Sequence, residues 1–421
     1  VEIKEPEKTK QVGLDNLVVH RAPAEEWPAI FDEAWRRYRD FFYVRNMHGY
    51  DWPALRERYR PLVADVSTRE DLNTLIGEMI AELNVGHAYV SGGDLQAGAR
   101  PAASLLGARF EADEAAGRYR IAHLYAGHNA EPKYRSPLTE VGADVNVGDY
   151  ILAIDGRELT LADNPYELLS GRGQQPVELS VNARPRAEGA RRVLVEPIAS
   201  EAALAYLEWV QGNYDYVSEK TGGRVGYLHI PDMGPSGIYE FIKWFYPQQR
   251  KEGLVVDVRT NGGGNVSQMI LRRLMQRPMG YGYAAHSDWT ESYPQTAFAG
   301  PMAALISESS ASDGDIFPYF FRQAGLGPLI GKRTWGGVVG ITDHGRLLDG
   351  GEVYVPEFGM GGLSGEWIIE GEGVAPDIEV DNDPAAAGDA QLDRAIADVL
   401  QRIEAQPPAY PAKPAEPVKL D

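Results

Sequence analysis

The stretch Ala303-Ala-Leu-Ile-Ser-Glu-Ser-Ser-Ala-Ser-Asp-Gly-Asp-Ile-Phe317 reads as an apolar strand, a turn of small residues and the start of an amphipathic helix. A serine at a helix N-terminus faces free N–H groups and the positive end of the dipole, which stabilise a developing oxyanion. Three serines compete for a nucleophilic role there, Ser309, Ser310 and Ser312, and each could equally cap the helix. A second stretch, Asp257-Val-Arg-Thr-Asn-Gly-Gly-Gly264, follows an apolar run, and its glycines let the backbone curl against a ligand. Phosphate binding is disfavoured because the Lys-Ser or Lys-Thr ending of a P-loop is missing. An oxyanion-hole loop fits better, although a Gly-rich turn can serve geometry alone. His87, in Glu82-Leu-Asn-Val-Gly-His-Ala-Tyr89, follows a helical stretch, and a neutral imidazole beside a serine can act as general base. Nothing local separates it from His229, His286 or His344. With no cysteine in the chain, a disulfide framework, a thiolate zinc site and a cysteine nucleophile are excluded.

At 421 residues, 43% hydrophobic and 24% charged, the chain is globular in composition and long enough for two or three domains. A formal net charge of −20 without a basic patch argues against a nucleic-acid partner and fits an acidic, well-dispersed surface. No apolar run approaches the roughly 20 residues of a spanning helix, so a soluble protein with no membrane partner is expected. The chain opens at Val1 without a basic-then-apolar segment, and the missing initiator Met suggests that an upstream export signal or whole domains are absent from it. The cysteine count leaves the compartment open, and a periplasmic setting is favoured over a cytoplasmic one.

These residues need elements to position them. Residues 1–21 are charged and aperiodic, as a tail or linker would be. Over 22–95 a helical subdomain is predicted: Ile30, Phe31, Ala34, Trp35, Tyr38, Phe41 and Phe42 form one stripe. Leu72, Leu75, Ile76, Met79, Ile80 and Leu83 form a second, opened by Ser67 and Glu70 at capping-box spacing. Over 96–198 short strands alternate with Gly-rich turns. There Ser136-Pro-Leu and Val147-Gly-Asp-Tyr-Ile-Leu-Ala-Ile-Asp-Gly156 look like a PDZ signature, a module that adds an extended peptide to a sheet edge. Over 199–405 the apolar strands Val225 to Ile230, Leu254 to Val258 and Ala303 to Ser307 alternate with helical stretches. That pattern implies an α/β sheet covered on both faces, with its site where strands run into loops. Residues 406–421, rich in Pro and Ala, read as a flexible tail.

From Trp27 to Leu400 the chain resembles the C-terminal half of the tricorn proteases, in a fold family shared with tail-specific, or carboxy-terminal processing, proteases. The motifs that carry the resemblance are Gly-His, the PDZ signature, Gly-Gly-Gly and Ser-Asp-Gly-Asp, in that order. It implies a multidomain α/β protein with a small helical subdomain, a PDZ-like β domain and an α/β crotonase-like (ClpP/crotonase type) catalytic domain. By the same resemblance the chain is a serine endopeptidase acting on unfolded polypeptides or short peptides through an acyl-enzyme. No metal, ATP or other cofactor is implied, and the family assembles as a homo-hexamer whose full chains carry two β-propellers ahead of this core. Ser312 matches the nucleophile, His87 the catalytic histidine, and Glu370, in Ile369-Glu-Gly-Glu-Gly-Val374, the carboxylate that orients it. The amides of Gly264 and Asp313 match the oxyanion hole, and Gly262, Gly263 and Gly282 match substrate-binding positions.

Three positions depart from the family pattern. Gly86 stands where the archetype has a serine bridging histidine to carboxylate, leaving direct contact, a water, or a hydroxyl such as that of Ser91 or Tyr89 to make the link. Thr334-Trp-Gly-Gly337 lacks the lysine base of the tail-specific relatives, which favours histidine. Gly282 replaces the acidic residue that selects basic P1 side chains, so a broad or apolar P1 preference is expected unless Asp288 substitutes. The rival expectation is a catalytically inactive PDZ-containing scaffold that only binds peptides.

Overall fold

A computed structural model describes residues 22–95, 98, 102–287, 290–407 and 411–419. The tail assigned to 1–21 and the alternative acid Asp288 lie outside the described residues. The chain forms two compact units, Val1–Gln96 with Gly336–Glu372, and Ala97–Trp335 with Gly373–Asp421.

In the first unit, the helix Pro23–Phe41 opens with proline in its first turn and Glu25 and Glu26 beside it, both favourable at a helix N-terminus. Its apolar stripe buries Trp27, Ile30, Phe31, Ala34 and Tyr38. Phe41, placed on that stripe by spacing, is 39% exposed at the helix end, where its ring stacks on His344 at 3.7 Å. The helix Arg69–Ala81 begins one residue later than its predicted box. Thr68 and Asp71, not Ser67 and Glu70, exchange the capping bonds, because the Asp71 carboxylate accepts from the N–H groups of both Thr68 (2.9 Å) and Ser67 (3.3 Å).

The three-stranded sheet of this unit explains why it is discontinuous in sequence. Tyr89–Ser91 pairs antiparallel with Glu352–Phe358, which pairs in turn with Gly340–Thr342. Val353 and Val355 alternate inward and join the helical core around Phe31, Leu72 and Ile76, together with Leu347. The segment 336–372, counted with the peptidase domain by chain order, therefore packs with the helical unit.

The second unit holds two sheets. One is antiparallel, in the order Ala108–Asp113, Arg118–Leu124, Tyr150–Ile154, Val177–Asn182 and Arg191–Val195, with Arg157–Glu158 beside Tyr150–Ile154. Strand Ala108–Asp113 forms its edge; its polar Glu111 and Asp113 hid it from sequence patterning. The other sheet is parallel, with Val225–His229, Gly253–Asp257, Met302–Ile306, Leu329–Gly331 and Ile378–Glu379 in sequential order. Its first four strands are buried at every residue, as expected of a sheet covered on both faces. Helices Pro235–Phe245, Ser267–Leu274 and Asp313–Gln323 make the first three crossovers. Between the fourth and fifth strands the chain leaves to build the first unit. The two neighbouring central strands run directly into the Gly-rich loop and the serine turn, so both motifs sit at one carboxyl edge of the sheet, where α/β sheets gather their sites.

Candidate active site

Ser312 occupies the N-cap position of the Asp313–Gln323 helix, yet its side chain makes no cap bond. Its backbone lies at φ 59°, ψ −124°, a conformation that costs a non-glycine residue about 1–3 kcal/mol and that recurs at strained nucleophile turns. The neighbouring serines differ. Ser310 is fully buried, its hydroxyl donating to the Val258 carbonyl at 2.9 Å and accepting the Ser307 N–H at 3.1 Å. Ser309 is exposed in the turn before it. Only Ser312 combines a partly open side chain with a strained helix-entry backbone.

The Gly-rich loop is shaped to meet this turn. A Cβ on Gly263 would stand 2.5 Å from the Ser312 Cβ. Gly264, at φ 147°, lies so close to the Met233 carbonyl that a Cβ there would overlap it. Met233 donates to the Gly263 carbonyl at 2.7 Å and accepts from Asn265 at 2.7 Å and Val266 at 3.1 Å. Buried Asn261 ties the loop to both sides, donating to the Ile230 carbonyl and accepting the Ala311 N–H, each at 2.8 Å. Among the described residues, the N–H groups of Gly264 and Asp313 donate to no acceptor. Two such donors are what an oxyanion requires. A Cβ on Gly262 would meet nothing within 4 Å, and Gly282 lies in the hairpin Gly280–Tyr283 with Thr290–Tyr293, opposite Glu291.

The side chain of Asp313, whose amide alone was expected to matter, also supports this geometry. The Asp313 carboxylate accepts the Ser267 N–H at 2.9 Å and the Ser267 hydroxyl, so it caps the Ser267–Leu274 helix that follows the Gly-rich loop. The acidic residue was visible in Ser-Asp-Gly-Asp; its partner lies 46 positions away and was not.

In the first unit, His87 and Ile369 also adopt positive φ, 59° and 73°. The Glu370 carboxylate is held by three backbone N–H groups: Gly86 at 2.8 Å on one oxygen, Val338 at 2.6 Å and Val339 at 3.0 Å on the other. Among the described residues no hydroxyl joins them, so neither Ser91 nor Tyr89 makes the bridge. The Tyr89 ring instead meets His87 edge-on at 6.0 Å. Burial holds the His87 pKa below the ordinary histidine value, and the Glu370 charge and the nearby Val339 backbone oppose the shift. The Glu370 carboxylate thus meets the backbone beside His87 through the Gly86 N–H, a contact that needs no side chain at position 86.

The three alternative histidines differ. His229 is buried, one ring nitrogen 2.9 Å from the Arg259 carbonyl and the other 3.1 Å from the Tyr206 hydroxyl. His344 meets Thr342 and Glu357, and His286 is exposed. No group of three metal-ligating side chains occurs among the described residues, and no helix there is long and apolar enough to cross a membrane.

The sequence matches the model of peptidase family S41 over residues 224–380, that of the tricorn protease C1 domain over 23–81 and that of the tricorn protease PDZ domain over 104–200. The chain belongs to the serine peptidases of family S41, on their tricorn branch. It is 40% identical over 393 residues to Tricorn protease homolog 1 of Streptomyces coelicolor, covering 92% of this chain and 36% of that one. To the tricorn protease of Thermoplasma volcanium it is 35% identical over 405 residues, covering 96% and 39%. A crystal structure of the tricorn protease superposes with a TM-score of 0.88 at 33% identity, covering 95% of this chain and 39% of that one. The chain therefore spans less than half the length of these relatives.

Proposed function

We propose that this chain is a serine endopeptidase of the tricorn type, cleaving unfolded polypeptides or short peptides through an acyl-enzyme. Ser312 Oγ attacks the scissile carbonyl while His87 takes its proton. The N–H groups of Gly264 and Asp313 hold the tetrahedral oxyanion. His87 then returns the proton to the leaving amine, and water, activated by the same imidazole, hydrolyses the ester. Glu370 keeps the imidazole oriented and favours its charged form through Gly86, Val338 and Val339.

The observation that carries this reading is the strained, uncapped Ser312 beside two unengaged N–H donors. A lysine base is disfavoured by Lys332, which is tied to Glu379 at 3.2 Å and Asp381 at 3.4 Å. Those partners raise its pKa and keep it charged. The test is labelling with a fluorophosphonate, followed by digestion of a peptide library read by mass spectrometry. Wild type is expected to label at Ser312 and to cleave, and Ser312→Ala to do neither. Wild-type protein that neither labels nor cleaves would favour the inactive peptide-binding scaffold.

An apolar or broad P1 preference follows from the glycine at 282. The hairpin nevertheless sets Glu291 opposite that position, on the same face of the ribbon. Phe and Leu peptides are therefore compared with Lys and Arg peptides in wild type and Glu291→Gln. Faster cleavage after basic residues, lost in Glu291→Gln, would overturn the apolar assignment.

A further inference from the structure

Strand Ala108–Asp113 is the open edge of the antiparallel sheet, paired among the described residues only with Arg118–Leu124. A polypeptide added antiparallel to this edge would run toward Ala108 and end there. The backbone N–H groups of Gly107 and Ala108, at the start of the strand, therefore stand where its terminal carboxylate would arrive, and paired backbone N–H groups are a recurrent means of capturing one. Gly107 sits at φ 74°, and a Cβ on it would stand 2.7 Å from the Ser136 hydroxyl, so the turn that aims these two groups requires glycine.

The place is already taken by a carboxylate of the same chain. Glu201 Oε1 accepts from Gly107 N–H at 2.9 Å and Ala108 N–H at 3.1 Å. Glu201 is the N-cap residue of the Ala202–Thr221 helix, but its side chain makes no cap bond there. It gives up the helix N–H groups for those of the sheet edge. Backbone bonds between Leu105 and Ile198, at 2.8 and 2.9 Å, hold the two segments together so that the carboxylate is delivered without freedom to wander. Further along the edge, Phe110 and Tyr166 of the short helix Pro165–Leu169 approach with ring centroids 6.0 Å apart, an apolar wall beside the strand.

We propose that Glu201 is a built-in occupant of this carboxylate site, holding the PDZ groove closed to free polypeptide C-termini, and that removing it opens the groove to them. An internal carboxylate competes at an effective concentration in the millimolar range or above, so a free terminus gains little by reaching the site. Charge-assisted bonds to backbone N–H are roughly twice as strong as neutral ones, so the block depends on the charge of Glu201 and not on its bulk alone.

The test uses the full chain carrying Ser312→Ala, with peptide integrity verified by mass spectrometry, so the result does not depend on which residue is the nucleophile. A pool of fluorescein-labelled decapeptides randomised in the last three positions is made once as free acids and once as C-terminal amides, and binding is followed by anisotropy. With Glu201 present, acids and amides are expected to bind alike. With Glu201→Ala, the acids are expected to bind at least about tenfold more tightly than the amides. Glu201→Gln, which keeps the shape, is expected to move the ratio in the same direction by a smaller factor, and it decides the matter if circular dichroism shows Glu201→Ala to be misfolded. Acid preference already present with Glu201 intact, or no acid preference in the folded variants, including no binding at all, overturns the proposal.

Discussion

Ser312, His87 and Ile369 all hold their backbones at positive φ, and each is one of the proposed catalytic residues or its immediate neighbour. Such strain persists only where the surroundings over-determine it. His87 sits below the ordinary histidine value of about 6.5 because burial withholds water from the imidazolium. A base must be neutral to act, so kcat/KM is expected to rise with pH and level off, with the midpoint of the acid limb below about 6.5. Glu370 opposes the burial effect, so Glu370→Gln is expected to move that midpoint to still lower pH while kcat falls on the order of 100-fold or more. A midpoint that stays put would reject the coupling. The glycines offer a second contrast. Gly263→Ala, at φ 97° and against Ser312, is expected to cut kcat at least about 100-fold, since small displacements of reacting groups are that costly. Gly262→Ala, with open space around it, is expected to leave thermal stability unchanged, so any effect it has on KM reports substrate contact. The choice of Ser312 over Ser309 and Ser310 was not legible from local sequence, because three small polar residues in one turn share the same propensities. What separates them is backbone conformation and a distant partner, the Val258 carbonyl that engages Ser310.

Asp313 joins two helices with one side chain, starting its own and capping Ser267–Leu274. Asp313→Ala is expected to cost about 1–2 kcal/mol of stability in a thermal or urea melt. It should also lower kcat with little change in KM, because both oxyanion donors depend on that junction; an equal loss confined to stability would make the carboxylate structural only. In the first unit, Arg69 and Asp349 form an ion pair with each side chain 3% exposed. Burial alone would raise the Asp349 pKa, but the Arg69 hydrogen bond and charge and the Gly351 N–H lower it below the usual value. With its folded value depressed, Asp349 stabilises the unit fully above its unfolded pKa of about 3.9, and that contribution is lost as pH falls through the folded value. Urea midpoints measured between pH 3 and 7 are expected to fall at the acid end in wild type and to flatten in Asp349→Asn, while Arg69→Ala costs about 3 kcal/mol at pH 7 by leaving a buried charge unpaired. At this scale the sequence was informative where periodicity was strong. Three strands of the parallel sheet, Val225–His229, Gly253–Asp257 and Met302–Ile306, fall within a residue of their predicted spans, since continuous Val, Leu and Ile runs leave little choice, whereas the short Leu329–Gly331 and Ile378–Glu379 were not foreseen. Strand Glu352–Phe358 was not foreseen, because Pro356 interrupts its pattern and one of its partners, Tyr89–Ser91, lies hundreds of positions upstream, and the capping box slipped by one residue where two overlapping candidates share the same spacing.

The first unit is assembled from the two ends of a long detour, and its core needs both. Residues 22–95 expressed alone are expected to remain unfolded by circular dichroism, because Tyr89–Ser91 has lost its partner strand and the core has lost Leu347, Val353 and Val355. Joined through a short flexible linker to 336–372, they are expected to give a cooperative melt; a folded 22–95 fragment would show the sheet to be dispensable. The second unit is interlocked in the same manner, with helix Ala390–Ala405 sending Arg402 to the Met302 carbonyl of a central strand. A ribosome adding about 5–20 residues each second must therefore pass Glu372 before His87 can be set in place, and pass Arg402 before the strand that leads to Ser312 is fully packed. A nascent chain therefore carries no finished version of the proposed site until synthesis has passed Arg402, far downstream of both His87 and Ser312.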